Sequence, residues 1–202
     1  FPSRPRRSGR SVALPDGGFA VTGSSTAFDP AGDIYLLRVT SGGAVVWQNT
    51  YGSMGATERS ESLIFQTSDA TLVLTGSLKA AATEDVLVTK VTLAAGTPVW
   101  IKRFPNVSGA DNGYDLKEAG TPAGYSVTGR FFNSSSTGDD VMFLKTNSVG
   151  NVTSVCQDSI VYQVRPGQWS GNCARQTMPL SDVIITPVVN NPSPLTRSYC
   201  GS

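Results

Sequence analysis

An all-β fold of four-stranded antiparallel blades is what this sequence predicts, and three observations predict it. Short runs rich in Val, Leu, Ile, Tyr and Phe are separated along the chain by Gly, Asp, Asn, Ser or Pro. One of these runs recurs as GFAVTGS from Gly18, TLVLTGS from Thr71 and GYSVTGR from Gly124, at a constant interval of 53 residues. The 202 residues include 21 Gly and 12 Pro, a density of turn formers that argues against long helices. A four-stranded sheet repeated with such a period cannot bury both of its faces alone and must stack on neighbours, which is the physics of a β-propeller.

Each unit supplies four strands in a fixed order. The first reads GRSVALP from Gly9, ESLIFQT from Glu61 and YDLKEAG from Tyr114, the last being the least strand-like. The second is the recurring run above. The third is DIYLLRV from Asp33, DVLVTKV from Asp85 and DVMFLKT from Asp140, each with a base five positions on at Arg38, Lys90 and Lys145. The fourth follows a glycine: GAVVW ends at Trp47, GTPVW at Trp100 and GNVTS at Ser154, so the third copy lacks the tryptophan.

Turn chemistry separates these strands. Pro15-Asp16-Gly17-Gly18 and Thr67-Ser68-Asp69-Ala70 join the first strand to the second, where Asp closes its own backbone turn and Gly supplies positive φ. Gly43, Gly96 and Gly150 serve the hairpin between the third and fourth strands. Longer polar segments, Ser25 to Gly32, Lys79 to Glu84 and Asn133 to Asp139, join the second to the third and are expected to emerge on one face of the stack. The chain therefore divides into a basic arm (1–8), three blades (about 9–52, 61–105 and 114–158) and a Cys-containing cap or tail (159–202).

Charge sets further bounds. Lys and Arg number 16 against 15 Asp and Glu, and four of the bases, Arg4, Arg6, Arg7 and Arg10, fall in the first ten positions. The remainder is mildly acidic, so no global field favours nucleic acid. No apolar run is long enough to span a bilayer as a helix. Cys156, Cys173 and Cys200 lie in the last quarter, among Gly, Pro, Asn and Ser, and are disulfide candidates whose pairing the sequence leaves open. Such a stapled segment favours a secreted or cell-surface location.

The chain contains no His, which removes the commonest general base and zinc ligand and every Ser-His or Cys-His nucleophile pair. Nothing nominates a catalytic pair or a cofactor, and the expectation is a non-enzyme. Candidate binding residues are few. Trp47 and Trp100 could stack on a pyranose ring or pack between blades. Asp139 and Asp140 could offer oxygens to a ligand or cation, but they lack the ligand count and spacing of a recognised loop, turn chemistry is the default reading, and no metal site is expected. The repeated Asp and base five apart fall on opposite faces of a strand, with the Asp serving the turn and the base the blade edge.

The pattern PDGGFAVTGSS followed by GDIYLLRVTSGGAVVWQNTYGS resembles the blade repeat of secreted and cell-surface β-propeller proteins, especially bacterial ones, over about residues 9 to 158. The second copy departs at Asp69-Ala70-Thr71 and the third at Pro122-Ala123-Gly124. The resemblance implies a propeller outside the cytoplasm, often within a larger surface protein, and no shared catalytic residue. Closed propellers have at least four blades, so three are expected to be incomplete or to be completed by other chain segments. The leading expectation is a non-catalytic extracellular or surface module for protein contact or assembly, partnered by another protein or by further chains. The alternative is a lectin-like propeller that binds a glycan.

Overall fold

The computed structural model describes residues 9–26, 29–105, 109–120, 123–133, 138–152, 163–165 and 168–170. At 133, 138–140, 163–165 and 168–170 the description is of the backbone alone. All regular structure among these residues is β. The first sheet holds β1 (Arg10–Ala13), β2 (Phe19–Ser25), β3 (Asp33–Val39) and β4 (Val45–Tyr51). The second holds β5 (Thr57–Gln66), β6 (Thr71–Ala80), β7 (Thr83–Thr92) and β8 (Pro98–Phe104). The third holds β9 (Asn112–Ala119), β10 (Gly124–Asn133) and β11 (Gly138–Asn147), with an isolated antiparallel bridge from Thr146 to Val152. A separate hairpin joins β12 (Gln163–Arg165) to β13 (Gln168–Ser170). Within each of the three large sheets, consecutive strands are antiparallel neighbours.

Register shows that the sheets are copies of one unit. Ala20 pairs with Arg38, Val73 with Lys90, and Ser126 with Lys145; Thr22 pairs with Leu36, Thr75 with Val88, and Thr128 with Phe143. Since successive side chains alternate between faces, each sheet has a forward face carrying these pairs and a rear face carrying the residues between them. The forward face of the first sheet and the rear face of the second enclose one core, built from Ala20, Ile34 and Leu36 against Leu72, Leu74 and Leu87. The second and third sheets repeat the arrangement, with Val73, Val86 and Val88 against Tyr125, Val127 and Leu144. The second sheet is thus covered on both sides, and seven of the ten residues in each of β6 and β7 are buried.

A β-bulge is part of the unit. The ladders between β5 and β6 and between β9 and β10 skip one residue, Glu61 in the second sheet and Tyr114 in the third. The bulge brings partner backbone hard against the glycine of the recurring Thr-Gly pair. A Cβ on Gly76 would lie 1.9 Å from the Arg59 carbonyl oxygen, and one on Gly129 would lie 1.8 Å from that of Asn112. Only Gly fits at such an approach. Gly23 meets nothing, because β1 is too short to reach past it.

Two expectations are corrected. Lys79 to Glu84 is not a long loop: β6 and β7 stay paired out to Ala80 and Thr83, and only Ala81 and Ala82 turn the chain. Ala81 does so at φ 53°, a left-handed backbone that permits a two-residue connection without Gly. The strand beginning the second unit starts at Thr57, four residues before the apolar run at Glu61. Its polar opening residues, Glu58 and Ser60, are buried, so hydropathy did not reveal them. Conversely YDLKEAG, despite its polar composition, is the strand β9.

Candidate functional site

Arg38 and Lys90 lie on the inner strands β3 and β7 and not at sheet edges, whereas Lys145 lies on β11, the edge of the third sheet among the described residues. Arg38 forms an ion pair with Asp16, 2.7 Å away, in the turn between β1 and β2. Lys90 pairs in the same way with Asp69, 2.6 Å away, in the turn between β5 and β6. From there each cation reaches the next sheet. Arg38 donates to the Leu93 carbonyl at 3.0 Å, and Lys90 donates to the Tyr125 hydroxyl at 2.9 Å and to Gln66 Oε1 at 2.9 Å. The Lys90 ammonium lies 5.6 Å from the centre of the Tyr125 ring, nearly in line with its C–O bond and so at the ring edge beyond the hydroxyl. In the third unit Pro122 stands where the turn Asp would be, so Lys145 has no turn carboxylate at that position.

Electrostatics follow this arrangement. Burial alone would raise the Asp69 carboxyl, but hydrogen bonds from Lys90 and Thr71 hold it below its ordinary value. Burial likewise works against the Lys90 ammonium, and its bonds to Asp69 and Tyr125 more than offset that and raise it. Asp33 and Asp85, five positions before the bases, are both buried in the strands. Asp85 is buried and accepts from Arg103 Nε at 2.6 Å, while Asp33 is buried and raised by desolvation and, secondarily, by the charge of Asp29.

Trp47 and Trp100 lie between adjacent sheets. The Trp47 indole N–H donates to the Leu93 carbonyl at 2.9 Å, and its ring packs on the core between the first and second sheets. Trp100 tilts against Tyr125 with ring centres 5.8 Å apart. Asp139 and Asp140 belong to β11, where their backbones pair with Phe132 and Phe131. Cys156, Cys173 and Cys200 lie outside the described residues. Among the described residues, no cluster of three or more acidic or Cys side chains is placed to hold a metal, and no helix is long and apolar enough to cross a membrane.

Two surfaces remain. The first is the pair of end faces. On the forward face of the third sheet, Val141 is 63% exposed and Phe143 38%, whereas their counterparts Ile34, Leu36, Val86 and Val88 are fully buried. On the rear face of the first sheet, Phe19 is 45% exposed, whereas its counterparts Leu72 and Tyr125 are fully buried. Aligning the repeats would have picked out these positions, since 19, 72 and 125 share one register; the missing signal was which copies lie at the ends of the stack.

The second surface is an open groove of about 800 Å³ between β4 and the turn joining β7 to β8, lined by Tyr35, Gln48, Asn49, Thr50, Tyr51 and Pro98. Its polar tips are already engaged. Tyr35 donates to Gln48 Oε1 at 2.6 Å, Asn49 to the Ala95 carbonyl at 3.0 Å and Tyr51 to the Gly96 carbonyl at 2.5 Å. Comparison with models of known protein families and with curated proteins finds no match for this chain.

Proposed function

We propose that this chain is a secreted or cell-surface β-propeller module that works without catalysis, by docking its sheet faces onto further protein. One observation carries the reading: positions fully buried in both internal sheet–sheet contacts stand open at the two ends of the stack. Fully burying a side chain of the size of Val or Phe is worth about 1.5–3 kcal/mol, so leaving Phe19, Val141 and Phe143 half in water forgoes stability that a covering sheet restores. Exposed apolar faces of this kind mark interaction surfaces in soluble proteins. The test is the concentration dependence of thermal unfolding. An assembly module gains stability by mass action, so its Tm rises between 1 and 100 µM protein. A Tm independent of concentration, with no binding of an apolar dye, refutes the reading.

Glycan binding is the second reading, and the groove beside β4 favours it. Two tyrosine rings with amide and hydroxyl groups around them are what a sugar ring and its hydroxyls require. A glycan array on the folded chain tests it. Retention lost in Tyr35→Ala and Gln48→Ala supports the groove as the site, and no retained sugar removes it.

A further inference from the structure

We infer that the occupant of the open faces is a second copy of this chain, joined head to tail: the forward face of the third sheet seats on the rear face of the partner copy's first sheet, and the same junction forms again in the other direction. This rests on the assembly reading above and names its partner. The junction continues an interface that the chain already builds twice. In both internal contacts a forward face meets a rear face in one register, so the partner's rear face presents Phe19, Val21 and Leu37 where the second sheet presents Leu72, Leu74 and Thr89 and the third presents Tyr125, Val127 and Leu144.

The chemistry of the two faces matches position by position. Val141 and Phe143 take the places of Val86 and Val88 and are apolar as those are. Val21 and Leu37 on the facing side are half-buried and apolar. Lys145 takes the place of Lys90, whose ammonium lies against the Tyr125 ring, and Phe19 takes the place of Tyr125. The junction therefore sets a lysine beside an aromatic ring again. Phenylalanine lacks the hydroxyl that Lys90 bonds, so at the junction the Lys145 stem lies along the ring and its ammonium stays at the rim in water. No other pairing of the free faces preserves this. A symmetric contact between two forward faces would bring the Lys117 and Lys145 side chains of the two copies together, and one between two rear faces would leave Lys145 in solvent. A head-to-tail contact either closes or runs on as a filament. Two copies of three sheets make six, within the four to eight blades of closed propellers, and each junction then has a symmetric twin.

Light scattering coupled to size exclusion on the full chain, at up to 100 µM and without reducing agent, tests this. The expected species is a dimer of twice the 21.2 kDa chain mass. Phe19→Lys opposes a second ammonium to Lys145 and Phe143→Glu places a carboxylate in the apolar seam; both positions are exposed in the single chain, so both variants keep the circular dichroism of the wild type and elute as monomers. Mixed in equal amounts they regain a one-to-one dimer, because one junction then joins an unaltered Phe143 face to an unaltered Phe19 face. A symmetric dimer gives a different pattern, since it is insensitive to one of the two substitutions and does not recover on mixing. A wild-type dimer that survives either substitution, a mixture that stays monomeric, or an open series of higher masses overturns the proposal. So does a wild-type monomer. If that monomer binds an apolar dye at its end faces, the assembly reading stands with another chain as occupant; if it binds none, both fall.

Discussion

The ion pair between Lys90 and Asp69 allows a sharp test of how the repeated base is used. The Lys90 side chain is only 5% exposed, and its ammonium has three acceptors, Asp69 Oδ2 at 2.6 Å, Gln66 Oε1 at 2.9 Å and the Tyr125 hydroxyl at 2.9 Å. Asp69→Ala leaves a buried cation with two neutral partners. Breaking a fully buried pair costs about 3–5 kcal/mol, but the Asp69 side chain is 45% exposed and water replaces part of what is lost, which brings the cost to about 2 kcal/mol. For a chain of this length that is a fall of roughly 4–8 °C in Tm. Lys90→Met keeps an unbranched stem in the same space and removes the charge together with its desolvation. Gln66 and Tyr125 still bond each other, and Asp69 still accepts from Thr71 at 2.6 Å, so the change stays within about 1 kcal/mol. The double variant should therefore be more stable than Asp69→Ala alone. Thermal and urea melts of the four proteins at one concentration decide it. If Lys90→Met costs as much as Asp69→Ala, or the double variant is the least stable, the ammonium is a net stabiliser and the reasoning is refuted. The pH dependence adds a check on sign. The folded-state Asp69 carboxyl is held below its ordinary value, so its contribution is complete above about pH 4 and disappears as pH falls through the folded value. Asp69→Ala should lose that part of the acid limb.

The recurring glycines differ in what they tolerate. Gly76→Ala and Gly129→Ala drive a Cβ into backbone and should cost about 3 kcal/mol or more, whereas Gly23→Ala should change stability by less than about 0.5 kcal/mol, as read by urea denaturation. Ala70 holds φ 51° where the first unit has Gly17 at 78°, and Ala70→Gly relieves about 1–2 kcal/mol of left-handed strain against about 0.4–1 kcal/mol of added unfolded-state entropy. A net stabilisation of between about 0 and 1.6 kcal/mol follows, and a loss of stability would contradict the assigned turn. Burial raises the Asp33 carboxyl in the fold, so its contribution is complete below about pH 4 and is lost as pH rises through the folded value. Asp33→Asn should remove that loss, and Tm measured from pH 3 to pH 7 should show the variant gaining on the wild type; parallel curves would exclude it.

Much of the fold was legible in the residues because its signals are local. Alternation within Asp33–Val39, the Asp-Gly turn at Asp16 and the 53-residue interval all depend on neighbours a few positions apart or on simple recurrence. The polar strand β9 was recognised through that recurrence and not through its own composition. The buried start of β5 escaped for the complementary reason, since Glu58 and Ser60 are polar side chains enclosed by another sheet. Misassignment of the repeated bases had the same origin. Their spacing from Asp33 and Asp85 is visible along the chain, whereas their actual partners, Asp16 and Asp69, sit 22 and 21 residues away and meet them only across two paired strands.

By itself, then, the amino-acid sequence determined a repeated four-strand unit, its strand order and its turn positions, because backbone sterics and the two-residue pleat are set within a few residues. Tertiary structure alone decided which face of each sheet is forward, where bulges force glycine, which tryptophan edge meets which carbonyl, and that Phe19, Val141 and Phe143 stand open while their counterparts are enclosed. Those outcomes depend on how sheets stack, and burial belongs to a pair of surfaces rather than to a residue, so identical positions in three copies of one pattern take different fates according to what lies across from them.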